Sequence, residues 1–223
     1  MGIWLIRYLF SFLFHFLFLG GFLFASWAHA APEFKLNTRL LIIGDSLTAG
    51  YGVAKEDAYP AILERLLNQK HHSVTVINAG SSGSTSASAY GRLKWHLQKK
   101  TDLLLIALGG NDGLRGVAAG ATRDNLAKTI QLAQDAGLRV LLAGMQLPMN
   151  YGQSYRAAFS KVFPELSQEY GVALIPFLLE GVGGMPEYNL PDGIHPNEAG
   201  HHKIATHVLP FIEAELEVIN ADD

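Results

Sequence analysis

Residues 39–52 read Arg-Leu-Leu-Ile-Ile-Gly-Asp-Ser-Leu-Thr-Ala-Gly-Tyr-Gly, a branched-aliphatic run that stops abruptly at a glycine, an acid and a serine. Such a run, with no polar alternation, suits a strand covered on both faces, as in a parallel sheet. The carboxyl end of a strand of this kind is where open α/β sheets receive their ligands. Ser46 stands there between Gly44 and Gly50, which let backbone and ligand approach closely. On this stretch alone it is either a nucleophile or the cap of a following helix.

The rest of the chain alternates in the same manner. Apolar residues at Ile62, Leu63, Leu66 and Leu67 predict a helix over 58–69, and the β-branched 73–77 predict a second strand ending in a loop from Asn78 to Ser84. A helix over 85–99 follows, then an apolar strand over 102–108 that ends in Gly109-Gly110-Asn111-Asp112. Residues 121–136 are helical, Gly137 terminates them, and 138–143 form a fourth strand. Helix is expected again over 155–170, kinked or divided at Pro164, then a short strand over 172–176, an irregular stretch over 180–196 and a closing helix over 197–217. Strands alternating with helices imply an α/β fold in which a five-stranded parallel sheet carries helices on both faces.

Residues 8–24 are almost wholly apolar, and Ala28-His29-Ala30 precedes Ala31, the small-x-small pattern of a secretory signal peptide. The expected organisation is therefore a leader over 1–30 and one mature domain over 31–223, secreted or periplasmic. An uncleaved leader would instead tether the protein to a membrane. The 17 basic against 20 acidic residues give no basic face for nucleic acid, and the absence of cysteine removes thiolate chemistry and disulfides.

If the sheet is parallel, Ser46, the Gly80–Gly83 loop and Asn111 share one rim, and Asp192-Gly193-Ile194-His195-Pro196 brings an acid and an imidazole three positions apart. Acyl transfer needs an attacking hydroxyl, an imidazole to take its proton, a carboxylate to hold the imidazole, and donors for the oxyanion. Ser46, His195 and Asp192 fit the first three roles. The backbone N–H groups of Ser46 and Gly83 and the side-chain amide of Asn111 fit the last, with Gly80 an alternative to Gly83.

The blocks Gly44-Asp45-Ser46-Leu47, Gly109-Gly110-Asn111-Asp112 and Asp192-Gly193-Ile194-His195-Pro196 resemble those of the GDSL, or SGNH, hydrolase family. Longer runs, Asp45-Ser46-Leu47-Thr48-Ala49-Gly50-Tyr51 and Gly110-Asn111-Asp112-Gly113-Leu114-Arg115-Gly116, are similar to its bacterial periplasmic arylesterase, thioesterase and lysophospholipase branch. The resemblance implies a three-layer α/β/α sandwich and a monomeric esterase that needs no cofactor and acts on small-molecule or lipid esters. It assigns the nucleophile to Ser46, the acid and base to Asp192 and His195, and the oxyanion donors to Ser46, Gly83 and Asn111. One departure is Gly83-Ser84-Thr85, where this branch often has Gly-Asp-Thr.

Met145, Leu147, Met149 and Tyr151 follow the fourth strand on the rim side, and with Leu178 and Tyr188 they either line an acyl groove or pack as core and lid. His71-His72 and His201-His202 with His207 lack an acidic partner at helical ligand spacing and are expected to be solvated surface histidines, not a metal site. Two rival readings use the same residues: a deacetylase of envelope polysaccharide, and a noncatalytic envelope binding protein. The second has no need of Ser46, Asn111, Asp192 and His195 together.

Overall fold

The computed structural model describes residues 37–70 and 73–221. The expected leader and the His71-His72 pair lie outside them. In chain order the elements are β1 (Thr38–Gly44), α1 (Ser46–Ala49), α2 (Tyr59–Gln69), β2 (Val74–Gly80), α3 (Ala89–His96), β3 (Leu103–Ala107), α4 (Gly110–Leu114), α5 (Ala119–Asp135), β4 (Arg139–Ala143), α6 (Gln153–Tyr170), β5 (Ala173–Ile175) and α7 (Glu198–Ala221). The five strands form one sheet in the order β2-β1-β3-β4-β5, every neighbouring pair parallel.

The order reverses at β1. From there the chain moves outward to β2, then returns across β1 to β3, β4 and β5. Right-handed crossovers in opposite directions put helices on opposite faces. Accordingly α2 packs with α7, and α5 packs with both α3 and α6. The reversal leaves a crevice outside the carboxyl ends of β1 and β3, where Ser46 and Asn111 follow their strands. Leu40 to Ile43 and Leu103 to Ala107 are fully buried, as the apolar runs require.

Three local outcomes differ from the sequence reading. β2 continues through Asn78-Ala79-Gly80 because β1 offers a ladder that far, with Ile42 opposite Asn78 and Gly44 opposite Gly80. The helix expected over 85–99 is a 3₁₀ turn at Ser86–Ser88 followed by α3. Of the kink or division expected at Pro164, the division does not occur. A mid-helix proline costs about 3 kcal/mol. Burial of Phe159, Val162, Phe163 and Leu166 on the core face outweighs it at about 1.5–3 kcal/mol per side chain. Among the described residues no helix is long and apolar enough to cross a membrane.

Candidate active site

The nucleophile turn is built from buried parts. Asp45, 2 % exposed, caps α1 by accepting the Leu47 N–H at 3.0 Å, so the capping role falls to the acid and leaves Ser46 half-buried in the first turn with its hydroxyl on the rim. Gly44 and Gly80 make room for this turn: a Cβ on Gly44 would come within 1.9 Å of Thr48 Oγ1, and one on Gly80 within 2.2 Å of the Ala49 nitrogen. Arg92, from α3, donates to the Gly44 carbonyl at 2.9 Å. Burial pulls the Arg92 guanidinium below its ordinary value, and the nearby Asp45 charge offsets the effect. Burial likewise pushes the Asp45 carboxyl up, while the Leu47 N–H and the Asn111 amide favour its ionised form.

The opposite side of the rim is a short loop that holds itself. Oδ1 of Asp192 accepts the Ile194 and His195 N–H groups at 2.9 and 3.0 Å, and Oδ2 meets His195 Nδ1 at 2.7 Å. The backbone donors of His195 and Ile194, and then the imidazole, lower the Asp192 carboxyl to about 2. His195 Nε2 lies 3.0 Å from Ser46 Oγ. With Nδ1–H donating to a carboxylate, Nε2 keeps its lone pair and accepts the serine O–H. Tyr51, about half exposed, leans its ring over His195 with centroids 4.5 Å apart.

Between these halves sit the expected oxyanion donors. The Asn111 amide, in α4, donates to Asp45 Oδ2 at 3.2 Å and to the Ser84 carbonyl at 3.1 Å, which fixes its plane against the nucleophile turn. The Gly80 N–H is already donated to Asn78 Oδ1 at 2.9 Å. The N–H groups of Gly83 and Ser46 have no protein acceptor among the described residues. Gly83 has φ +77°, a conformation suited to glycine, and its carbonyl accepts from Arg115 at 3.0 Å. Asp112, 1 % exposed, accepts both the N–H and the hydroxyl of Ser86, tying the Gly83 loop to α4.

The groove candidates divide. Leu178 is fully buried, and Met145 and Leu147 are nearly so. Leu147 lies so close beneath Gly113 that a Cβ there would come within 2.3 Å of it, so these three support the rim from below. Met145 and Leu147 also edge a cleft of about 310 Å³ beside α6 that does not include Ser46, Asn111 or His195. The Tyr151 hydroxyl donates to the Leu114 carbonyl at 3.1 Å, and Tyr188 lies beneath the Lys203 ammonium at 4.1 Å. Only Met149, at 79 %, is broadly exposed.

The expectation of surface histidines is corrected at His201, which is fully buried and accepts the Tyr59 N–H on Nδ1 at 3.2 Å. Its burial follows from its place on the inward face of α7, with Ile204, Ala205 and Val208. His202 is exposed, and His207 Nε2 lies 3.0 Å from the Phe177 carbonyl. Among the described residues no group of three or more His, Asp or Glu is placed to hold a metal ion. Sequence reasoning missed Asp45, Arg92, Asp112 and His201. Asp45 and Asp112 at least adjoin site residues within the motif blocks, whereas Arg92 and His201 carry no such signal.

The pattern of the GDSL-like lipase/acylhydrolase family matches residues 42–203. The chain is 42% identical to the esterase TesA of Pseudomonas aeruginosa over 178 residues, covering 79% of this chain and 89% of that protein. It is 44% identical to thioesterase 1/protease 1/lysophospholipase L1 of Escherichia coli over 168 residues, 74% of this chain and 79% of the relative. Its fold superposes on the crystal structure of TesA with a TM-score of 0.77 at 41% identity, covering 79% of this chain and 99% of that one.

Proposed function

Since this chain belongs to the GDSL-like lipase/acylhydrolase family and is a serine ester hydrolase, we propose that Ser46, His195 and Asp192 are its nucleophile, base and acid. The observation that carries this reading is the unbroken line from Ser46 Oγ through both nitrogens of His195 to Asp192 Oδ2, with steps of 3.0 and 2.7 Å. His195 Nε2 takes the Ser46 proton as Oγ attacks the carbonyl carbon. Asp192 stabilises the imidazolium that forms. The carbonyl π electrons move onto oxygen, and that oxyanion is received by the Ser46 and Gly83 N–H groups and the Asn111 amide.

Asn111 already donates both amide hydrogens, so it serves the oxyanion by sharing one of them without turning its plane. The occupied Gly80 N–H supports Gly83 as the second backbone donor. Collapse of the intermediate breaks the bond to the leaving alcohol or thiol, which receives its proton from His195. A water then gives a proton to His195 and attacks the acyl-serine carbonyl; collapse breaks the acyl–Oγ bond, His195 returns the proton to Ser46 Oγ, and the carboxylic acid leaves.

The substrate class we propose is short- to medium-chain carboxylic esters, aryl esters, acyl thioesters and lysophospholipids. Names of the relatives point the same way, and exposed Tyr51, Met149 and Ile194 give the rim an apolar edge for an acyl chain. No observation favours the polysaccharide deacetylase or the noncatalytic binding protein. We further propose that residues 1–30 are a signal peptide removed on export, leaving 31–223 as one monomeric domain that is periplasmic or secreted. Intact mass of exported protein tests the leader, since a chain still beginning at Met1 refutes cleavage.

The test of the site is labelling with an aryl alkylphosphonate followed by peptide mass mapping. One adduct on Ser46, lost in Ser46→Ala together with hydrolysis of aryl octanoates, is the expected result. Labelling at another serine, or turnover retained in Ser46→Ala, overturns the assignment.

A further inference from the structure

His201 plays no part in the chemistry above, yet it is a fully buried imidazole whose Nε2 finds no partner among the described residues. A polar atom left so in a core opposes folding, so its retention calls for an explanation. The other ring nitrogen supplies one. Tyr59 opens α2, no side chain of the preceding residue caps that helix, and the Tyr59 N–H goes to His201 Nδ1. The fully buried Tyr59 in turn reaches Thr48 Oγ1 in α1 through its hydroxyl at 2.8 Å, and its ring lies nearly parallel to that of His201, at 15°.

Both ends of this line lead to the reacting pair. Thr48 is also fully buried, two residues from Ser46, with its carbonyl held by Asn78 at 2.9 Å. His201 is in the first two turns of α7, whose start is fastened to the base loop: His201 N–H donates to the Asn197 carbonyl, Asn197 N–H to the Tyr188 carbonyl, and Leu190 N–H to the His195 carbonyl. We infer that His201, Tyr59 and Thr48 form an internal strut that sets the separation of Ser46 from His195, making His201 a positioning residue for acyl transfer. The inference rests on Ser46 and His195 being the reacting pair. Its physical ground is that a misplacement of about 1 Å can cost on the order of 10²-fold in rate.

The test uses aryl octanoate kinetics on the full mature chain. His201→Phe removes the acceptor at similar volume and should lower kcat about 10- to 100-fold with KM changed by less than about threefold. His201→Gln, whose amide oxygen can accept the Tyr59 N–H, should stay within about threefold of wild type. Tyr59→Phe and Thr48→Val delete the same hydroxyl contact from either end without emptying space. Each should lower kcat about 3- to 10-fold, and the double variant should lose no more than the larger single loss.

A His201→Phe variant with a lower Tm and unchanged kcat, a His201→Gln as impaired as His201→Phe, or additive losses in the Tyr59/Thr48 pair overturns the strut. Should His201→Phe fail to fold, the Tyr59/Thr48 cycle decides alone. Phosphonate labelling of wild type separates the two layers: absence of the Ser46 adduct removes the active-site assignment and this inference with it, while a normal adduct with kinetically silent variants removes only the strut.

Discussion

Asp45 and Asp192 both serve the rim, and they are opposites. Asp45 is 2 % exposed and burial raises its carboxyl above the ordinary value, whereas Asp192 is exposed and three hydrogen bonds from its own loop hold it at about 2. Around Asp45 the partners are the Leu47 N–H of α1 and, 66 positions away, the Asn111 amide of α4. Around Asp192 every partner lies within three residues. Two carboxylates on one edge are thus driven apart in affinity for protons by burial on one side and local donors on the other. The nucleophile half of the site is a tertiary construction and the acid–base half a local one, so changes at the buried supports of the first should couple activity to stability and changes in the second should not.

The sharpest test of that distinction begins with the largest effect. Ser46→Ala should cost on the order of 10⁶ in kcat with Tm nearly unchanged, because among the described residues its side chain hydrogen-bonds only to His195 across the rim. Steady-state turnover beside a thermal melt checks both. Asp192→Ala should cost on the order of 10⁴ in kcat, again with little change in Tm, since it carries no buried structure. A large melting shift in Asp192→Ala would break the comparison.

Asn111→Ala should cost roughly 10² to 10³ in kcat, the usual toll of one oxyanion donor, and should also lower Tm because Asp45 Oδ2 loses its amide partner in a buried site. A fall in kcat without any loss of Tm would show that the buried half is less coupled than its contacts imply. Gly80→Ala should lower both kcat and Tm, since the new Cβ meets the backbone of Ala49 and Thr48 at 2.2 to 2.6 Å and must displace α1. Gly83→Ala meets only the Arg115 side chain at 3.4 Å, so its cost is the backbone strain at φ +77°, about 1–2 kcal/mol.

The last test is in the pH dependence of stability. Burial first, and His195 nearby, lower the His201 imidazole from 6.5 to about 4, while Asp57 opposes the shift. The unfolded chain then binds a proton before the folded one does, so stability is complete above 6.5 and declines as pH falls toward about 4, by on the order of 3 kcal/mol. Asp192 is lowered as well, to about 2, but it is exposed, so solvent screening leaves it only a minor share of the acid limb below pH 3.8. His201→Gln should therefore flatten the Tm profile between pH 6.5 and 4 and leave the profile below it unchanged. An unchanged profile would assign that acid limb to other groups.

Much of this was legible before any fold was seen. The uninterrupted apolar runs at 40–43 and 103–107 announced buried parallel strands, and the abrupt polar residues after them announced the rim. Asp192 and His195 could be paired on paper because their interaction spans three residues. The limits were equally specific. Asn78 to Gly80 read as loop by composition, yet the free ladder of β1 draws them into β2. Met145, Leu147 and Leu178 suited a groove by chemistry, and packing buries them.

What the sequence determined by itself is whatever depends on neighbours along the chain: strand and helix periodicity, the Asp192–His195 turn, and the presence of a serine after an apolar strand. What only the tertiary structure decided is whatever depends on distance through space: that Asp45 grips Asn111 across 66 positions, that Arg92 supports the Gly44 carbonyl, and that His201 caps a helix 142 positions away. The physical reason is that burial and hydrogen-bond satisfaction belong to the whole fold. A buried carboxylate or imidazole is tolerated only where its partners converge, and that convergence is set by the order in which strands cross the sheet.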